Sequence, residues 1–104
     1  MIVPYAPGGT AEVVGRLVAG DMAKALGQNV VVELKPGAGG NIGAEYVARS
    51  AKPDCYTILL GALSLGTNVS LMKLTFDPRK DLVPVAGIGT VPNLLVVAAD
   101  APLQ

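Results

Sequence analysis

Apolar residues recur at helical spacing early in the chain and in continuous β-branched runs further along. The spacing between residues 10 and 26 predicts an α-helix from about Thr10 to Leu26, with one side formed by Val14, Leu17, Val18 and Leu26. Thr10 is a suitable N-cap, and Gly27 can adopt the left-handed conformation that ends a helix. Glu12 lies in the first turn and pairs with Arg16 at i,i+4 spacing, which favours this helix further.

The β-branched runs predict strands before and after this helix. Residues 2–3 form a short run that ends at Pro4, residues 30–34 form a run bounded by Asn29 and Pro36, and residues 57–60 form a third. The second run is apolar enough for a strand covered on both faces. Between the second and third runs, Asn41 can cap a helix that reaches about Ser50, with Glu45 and Arg49 paired on one side.

The pattern loosens beyond Gly61. A loop is expected over residues 62–68, a short segment around residues 71–74, and a turn at Asp77–Pro78, followed by strand candidates at 83–88 and 94–98. The order βαβαβ followed by two strands predicts an α/β fold with an open, mostly parallel sheet. Ligands of such sheets lie beyond the carboxyl ends of the strands.

Composition and charge exclude several classes of protein. The chain has 104 residues, of which 51% are hydrophobic and 15% charged, so it can bury one modest core. Eight basic and eight acidic residues cancel without forming a run, which argues against nucleic acid as a partner. No apolar stretch reaches the roughly 18 residues of a membrane span, and no signal peptide precedes Ile2. The sequence as given therefore predicts a soluble chain without an export signal.

Two glycine-rich loops are the strongest functional feature. Residues 7–10 (PGGT) and 36–41 (PGAGGN) each lie between a strand and a helix, where unpaired helix N–H groups can bind an anion. The alternative is that both are tight connections without a ligand, because short loops of this kind often contain glycine. Two such loops at equivalent positions favour a binding site.

Neither nucleotide-binding motif is complete. The spacing of Gly37, Gly39 and Gly43 is one residue too long for the dinucleotide motif, and no acidic residue ends the next strand. Gly61 and Gly66 have the spacing of a P-loop, but Thr67 and Asn68 follow where lysine and serine or threonine are required. A carboxylate is therefore the favoured anion.

No catalytic, metal or cofactor site is predicted. The chain has no histidine, so Ser64 lacks a general base and is interpreted as a hydrogen-bond donor. Cys55 is the single cysteine and is interpreted as a turn or packing residue, and Asp77 and Asp81 do not form a paired-carboxylate site. Tyr5 can offer a ligand an apolar wall and a hydroxyl, or it can pack on the helix.

Four blocks in order resemble the Bug family, the substrate-binding proteins of tripartite tricarboxylate transporters. They are residues 2–9 (IVPYAPGG), 36–43 (PGAGGNIG), 53–61 (PDCYTILLG) and 76–82 (FDPRKDL), which together span most of the chain. The resemblance implies a periplasmic receptor of two lobes that captures a small carboxylate or related metabolite and delivers it to membrane transporter subunits. It implies binding without catalysis.

The resemblance also implies ligand-binding residues in three loops. The first loop contains Tyr5, Pro7, Gly9 and Thr10, the second contains Gly40 and Asn41, and the third contains Ser64 and Thr67. Glu12 stands where the family usually has aspartate, so it is expected to intrude on the far end of the ligand or to bind a ligand amine. Lys35 stands where the family commonly has asparagine-arginine before the Pro-Gly turn. Cys55 replaces a usual glycine, which strains the backbone if that position needs a positive φ.

The family pattern extends beyond this sequence at both ends. Residues 1–104 are therefore expected to be a partial first lobe, with the second lobe and the returning part of the first lobe absent. We expect weak or undetectable ligand binding by the chain alone and a tendency to self-associate through uncovered apolar surface. Two other hypotheses remain open at this point: a dinucleotide-binding oxidoreductase fragment, and a self-associating module without a small ligand.

Overall fold

The computed structural model describes residues 1–100 as a mixed α/β arrangement; the last four residues of the predicted domain lie outside that range. Two strands, four α-helices and two short helical turns follow one another in the chain. They are β1 (Ile2–Val3), α1 (Thr10–Leu26), β2 (Glu33–Leu34), a 3₁₀ turn (Ala38–Gly40), α2 (Asn41–Glu45), a π-helical turn (Tyr46–Ser50), α3 (Ser64–Leu71) and α4 (Pro78–Asp81). None of the helices within residues 1–100 has the length and apolarity needed to cross a bilayer.

The sheet is small and parallel, with β1 in the middle. Ile2 pairs with Glu33 and Val3 with Leu34 on one side, and Ile2 forms a parallel bridge with Leu59 on the other. The predicted parallel direction is confirmed, but the second and third strands are shorter than predicted. Residues 30–32 are not part of β2, and Val31 is 73% exposed, so the expectation of a strand covered on both faces is wrong there. The side of β2 away from β1 has no neighbouring strand within residues 1–100 to extend the hydrogen bonding.

Helix α1 has the predicted bounds and packs on the sheet through small residues. Gly15 and Ala19 are its buried residues, and a Cβ on Gly15 would lie 2.9 Å from Val3 Cγ2, so glycine allows the close approach. Leu17 and Leu26 are more than 60% exposed. Gly27 ends the helix with φ 65°, as predicted.

The start of α1 differs from the prediction. Gly9, not Thr10, is the N-cap, and no side chain caps the helix there. Instead, the Glu12 carboxylate reaches back and accepts the Gly8 N–H at 2.8 Å. A carboxylate in the third helical position can satisfy an N–H of this loop, so a capping hydroxyl on Thr10 is not needed.

Helix α2 and the π-helical turn together occupy the predicted range, 41–50. Asn41 is the first helical residue and does not cap the helix, because Gly40 occupies the N-cap position. The predicted pair of Glu45 and Arg49 is also wrong, because both side chains bind Thr75 instead. Glu45 accepts a hydrogen bond from the Thr75 hydroxyl, and Arg49 donates one to the Thr75 carbonyl. These contacts fasten the segment after α3 to the π-helical turn. Gly43 packs so tightly that a Cβ would lie 2.6 Å from Pro4 Cβ.

Two helices follow where the sequence predicted a loop and a turn. Helix α3 occupies Ser64–Leu71 despite Gly66, and α4 begins at Pro78. Asp77 caps α4 by accepting the Arg79 N–H at 3.0 Å, while its own N–H is accepted by Asp81 at 2.8 Å. The predicted turn at Asp77–Pro78 is therefore the N-terminus of a short helix, with proline at a position that suits it.

Residues 82–98, here called the apolar extension, contain neither of the two predicted strands. Most of its large apolar side chains are more than half exposed, with Val85 at 87% and Leu95 at 98%. A strand requires a neighbouring backbone that accepts and donates ladder hydrogen bonds, and none lies beside this segment within residues 1–100. The β-branched pattern is present, but the pairing partner is not.

Candidate functional site

Three segments that are distant in sequence meet next to the carboxyl end of β1. The Tyr5 hydroxyl and Ser64 Oγ lie 2.8 Å apart, within hydrogen-bond distance, which connects the first loop with the start of α3. Gly40 is buried between them, and a Cβ at this position would lie 3.3 Å from Tyr5 Cε1 and 3.5 Å from Ser64 Oγ. Of the predicted binding residues, Tyr5, Gly40 and Ser64 are therefore brought into direct contact.

The second loop reaches this junction through a backbone that glycine makes accessible. Gly39 and Gly40 have φ values of 64° and 95°, which are unfavourable for residues with a side chain. Because of these two residues the loop turns directly into α2, whose first residue, Asn41, follows Gly40 in the chain and contacts Asn68 and Met72 through its side chain. The predicted glycine loop is thus built around positive φ values at the point of closest approach.

Asn68 joins α3 to the same loop. It is 7% exposed, and its Nδ2 donates to the Gly39 carbonyl at 3.2 Å and to Asn41 Oδ1 at 2.9 Å. Asn68 was not among the residues predicted to bind a ligand. The spacing that identifies it is i,i+4 from Ser64 on one face of α3, and this spacing has meaning only once the segment is known to be a helix.

The remaining residues predicted for the first loop lie at the open start of α1. Pro7, Gly9 and Thr10 are exposed, and no side chain accepts a hydrogen bond from the first N–H groups of the helix. Thr67, predicted for the third loop, directs its hydroxyl to the carbonyls of Leu63 and Ser64, at 3.4 and 3.5 Å. Thr67 thus reaches the Tyr5–Ser64 junction only through the Ser64 carbonyl, and Pro7, Gly9 and Thr10 make no described hydrogen bond to it.

Glu12 is held inside the first loop by two donors. Arg16 donates to Glu12 Oε1 from Nε at 2.8 Å and from Nη2 at 2.6 Å, while Oε2 accepts the Gly8 N–H. These hydrogen bonds, from Gly8 first and then Arg16, hold the pKa of Glu12 below its usual range. The carboxylate is therefore ionised and paired, and it shapes the loop at Gly8, where φ is 81°.

Two departures from the family pattern have structural consequences outside the junction. Cys55 adopts φ 65° in an exposed turn, so a side chain stands where the backbone favours glycine, as expected from the sequence. Lys35 pairs with Glu33 at 2.7 Å and lies 4.3 Å from the centroid of the Tyr46 ring. The Glu33 carboxylate raises the pKa of Lys35.

Two open clefts lie away from the predicted binding residues. One is formed by α3 and α4 and is lined by Leu65, Val69 and Arg79 among others, and the other lies beside α1 and is lined by Ala19, Ala23 and Val31 among others. Neither cleft is lined by any of the predicted binding residues. The convergence of polar groups, and not the size of a cavity, distinguishes the candidate site.

The sequence pattern of the "tripartite tricarboxylate transporter family receptor" matches residues 14–104. The chain belongs to this family. Protein BugT of Bordetella pertussis is 46% identical over 99 residues, which cover 92% of the chain and 30% of BugT. A UPF0065 protein of Bordetella bronchiseptica is 43% identical, with 100% of the chain and 31% of that protein covered. The chain thus spans about a third of the length of these relatives.

Solved structures support the same family and fold. A structure described as a periplasmic transporter matches with a TM-score of 0.68 and 45% identity, covering 76% of the chain and 27% of that protein. R. palustris Rpa4515 with adipate matches with a TM-score of 0.58 and 35% identity, covering 62% of the chain and 21% of that protein. The mixed α/β arrangement is consistent with a fragment of one lobe of such a binding protein. The family consists of transporter receptors and not of enzymes, so the oxidoreductase hypothesis is not retained.

Proposed function

We propose that residues 1–104 form part of the first lobe of a two-lobe periplasmic receptor that binds a small carboxylate and delivers it to the membrane subunits of a tripartite transporter. Membership of the receptor family supports the class of protein. The adipate in the Rpa4515 structure supports a carboxylate as the kind of ligand. The meeting of Tyr5, Gly40 and Ser64 is the observation on this chain that carries the proposal.

In this proposal the ligand carboxylate is held by neutral donors from three segments. The donors are N–H groups at the start of α1 and the side chains of Tyr5, Asn41 and Ser64. The whole set of proposed contact residues is Tyr5, Pro7, Gly9, Thr10, Gly40, Asn41, Ser64 and Thr67, of which Pro7 has no N–H and lines the loop without donating. Helix N-termini favour an anion because their unpaired N–H groups and the helix dipole point toward it. None of these eight residues is an arginine that could hold the anion through two parallel hydrogen bonds, which suits a receptor that must release its ligand.

Glu12 acts on the loop in this proposal and does not bind the ligand directly. Its two carboxylate oxygens are already occupied by Gly8 and Arg16. An ionised carboxylate without such partners would repel an anionic ligand at the start of α1. The positive charge of Arg16 beside Glu12 offsets this repulsion. The expectation of a contact between Glu12 and a ligand amine is therefore not carried forward.

The proposal is tested by the melting temperature and molar mass of the purified chain with a panel of dicarboxylates, tricarboxylates and amino acids. Adipamide, which has the carbon chain of adipate without its charges, is the matched control ligand. We expect adipate at tens of millimolar to raise the melting temperature and adipamide to leave it unchanged, because only the anion gains from the N–H groups. Ser64→Ala is expected to reduce the shift. Equal shifts with both ligands would contradict the proposal. No shift with any carboxylate would mean that residues 1–104 alone have lost the binding function.

Self-association is a second proposal, supported by the exposure of the apolar extension. Val83, Val85, Leu94 and Leu95 are each more than 80% exposed, and a segment with this many exposed apolar side chains favours burial against another surface. The occupant we propose is the free side of β2 in a second copy of the chain, to which an extended segment can add as a strand.

A further inference from the structure

Asn68 lies where its side chain controls the second loop without being exposed to a ligand. It is one helical turn after Ser64 on α3, and it is 7% exposed. Its Nδ2 makes two contacts to the loop, to the Gly39 carbonyl and to Asn41 Oδ1. A buried amide with two partners of this kind has a defined orientation, and that orientation has a consequence for Asn41.

The orientation of the two amides follows from the Gly39 carbonyl. A backbone carbonyl can only accept a hydrogen bond, so the group of Asn68 that faces it must be the NH₂ group. The same NH₂ group is 2.9 Å from the Asn41 side chain, so the atom of Asn41 that faces it must be the oxygen. The Asn41 NH₂ group is thereby turned away from Asn68.

The Asn41 NH₂ group has only a weak partner in its fixed orientation. Its Nδ2 is 3.3 Å from Met72 Sδ, and a thioether sulfur is a poor acceptor. Met72 is 44% exposed, and Asn41 is partly exposed, so another acceptor can reach this donor from solution. A carboxylate oxygen would form a stronger hydrogen bond than the sulfur does.

We propose that Asn68 is a positioning residue that holds the NH₂ group of Asn41 toward the ligand, so that this corner of the site accepts a carboxylate oxygen and disfavours an ammonium group. The inference deepens the proposed function and rests on it. Asn68 itself does not touch the ligand: it acts through Asn41, whose donor would otherwise be free to rotate by half a turn and present an acceptor.

A pair of isosteric substitutions tests the orientation without any ligand. In Asn41→Asp the new carboxylate still accepts from Asn68 Nδ2, so we expect a melting temperature within about 2 °C of the wild type. In Asn68→Asp a carboxylate faces the Gly39 carbonyl, which stays an acceptor even if the Asn41 amide rotates, so we expect a loss of about 5–10 °C. Asn29→Asp, at an exposed asparagine, is the control for added charge. Equal losses in the first two variants would overturn the orientation.

A double-mutant cycle tests whether Asn68 acts through Asn41. The probe is adipate, titrated into the ¹⁵N-labelled chain and followed by amide chemical shifts. We expect Asn41→Ala and Asn68→Ala each to weaken adipate binding by about tenfold, the effect of one lost charge-assisted hydrogen bond, and the double variant to be no weaker than Asn41→Ala. If the double variant binds adipate about a hundredfold more weakly than the wild type, the two residues act independently and the inference is overturned.

The two experiments separate this inference from the proposed function. If the wild-type chain does not bind adipate while only Asn68→Asp lowers the melting temperature, the proposed function fails for this chain and the amide orientation stands. If adipate binds but Asn68→Ala binds it as tightly as the wild type, the proposed function stands and the positioning role is overturned.

Discussion

Residues 1–81 and the apolar extension both contain apolar, β-branched stretches, but these stretches lie in opposite environments. Val3 is completely buried in β1, whereas Leu95 in the extension is 98% exposed. The two stretches are similarly hydrophobic but differ in strand pairing. β1 has a hydrogen-bonded neighbour on both sides, and the extension has none within residues 1–100. An apolar pattern predicts that a segment will be buried, but the neighbouring backbone decides whether it becomes a strand.

The dimensions of the molecule reflect the same contrast. Its radius of gyration is 15.8 Å, compared with about 13 Å for a compact domain of 100 residues. Residues 1–81 contain every helix and strand that the structure describes. The contrast predicts that substitutions in these two parts of the chain have very different effects on stability.

Glycine-to-alanine substitutions are expected to show the contrast most clearly. In Gly43→Ala the new methyl group would lie 2.6 Å from Pro4 Cβ and 3.0 Å from the Lys35 carbonyl, so the backbone must move. We expect a loss of about 2–3 kcal/mol in the free energy of unfolding, measured by urea denaturation followed by circular dichroism. Gly87→Ala in the apolar extension is the matched control, because nothing lies within 4 Å of its added Cβ. A comparable loss in both variants would show that the extension is packed.

Truncation of a buried and an exposed valine is expected to have the next largest effect. Val3→Ala removes fully buried methyl groups and leaves a cavity under α1, so we expect a loss of about 2 kcal/mol. Val85 is 87% exposed, and Val85→Ala should change the free energy of unfolding by less than about 0.5 kcal/mol. The same urea titration measures both. A large effect at Val85 would mean that the chain buries its extension in solution.

The dependence of stability on pH should change in Glu12→Gln. The pKa of Glu12 is lowered in the folded chain, so its contribution to stability is fully present above its usual value of 4.5 and is lost as the pH falls through the folded value. In Glu12→Gln the melting temperature is expected to depend less on pH across that acid range. Asp100→Asn is the charge-matched control at the exposed end of the described residues. An unchanged acid slope in Glu12→Gln would contradict the role of its two hydrogen bonds.

A charge in the apolar extension should change association while leaving unfolding unaffected. We expect Leu95→Glu to lower the average molar mass measured by light scattering at a fixed concentration, because a carboxylate opposes burial of this segment. Val13→Glu places the same charge on an exposed position of α1 and is the control. If only the control variant dissociates, the association surface lies on the helix and not on the extension.

The comparison also explains how much of the fold could be predicted from the sequence. Helix α1 was predicted with the bounds it has, because its apolar periodicity is long and Gly27 ends it clearly. Helix α3 was missed because Gly66 and three serine or threonine residues weaken its helical propensity, and its contacts with α2 outweigh that propensity. The strands at 83–88 and 94–98 were wrong because sequence periodicity does not report whether a neighbour is present.

The candidate site could be predicted in part, for a similar reason. Tyr5, Gly40 and Asn41 lie next to strand ends and glycine loops, which are visible in the sequence, and Ser64 was included through the family pattern. Asn68 could not be identified because its role depends on the register of α3, in which it lies on the same face as Ser64. Positions in loops are visible from local sequence, whereas contacts across segments require the helix register.

The central position of β1 imposes an order on folding. Its partners lie about 30 residues later in the chain, in β2, and nearly 60 residues later, at Leu59. During synthesis the first strand therefore remains without its second neighbour until more than half of the chain has left the ribosome. Contacts between such distant residues close slowly, so assembly of this sheet is expected to be slower than formation of α1. The edges of β1 would thus stay uncovered, and open to a chaperone, after the local hydrogen bonds of α1 have formed.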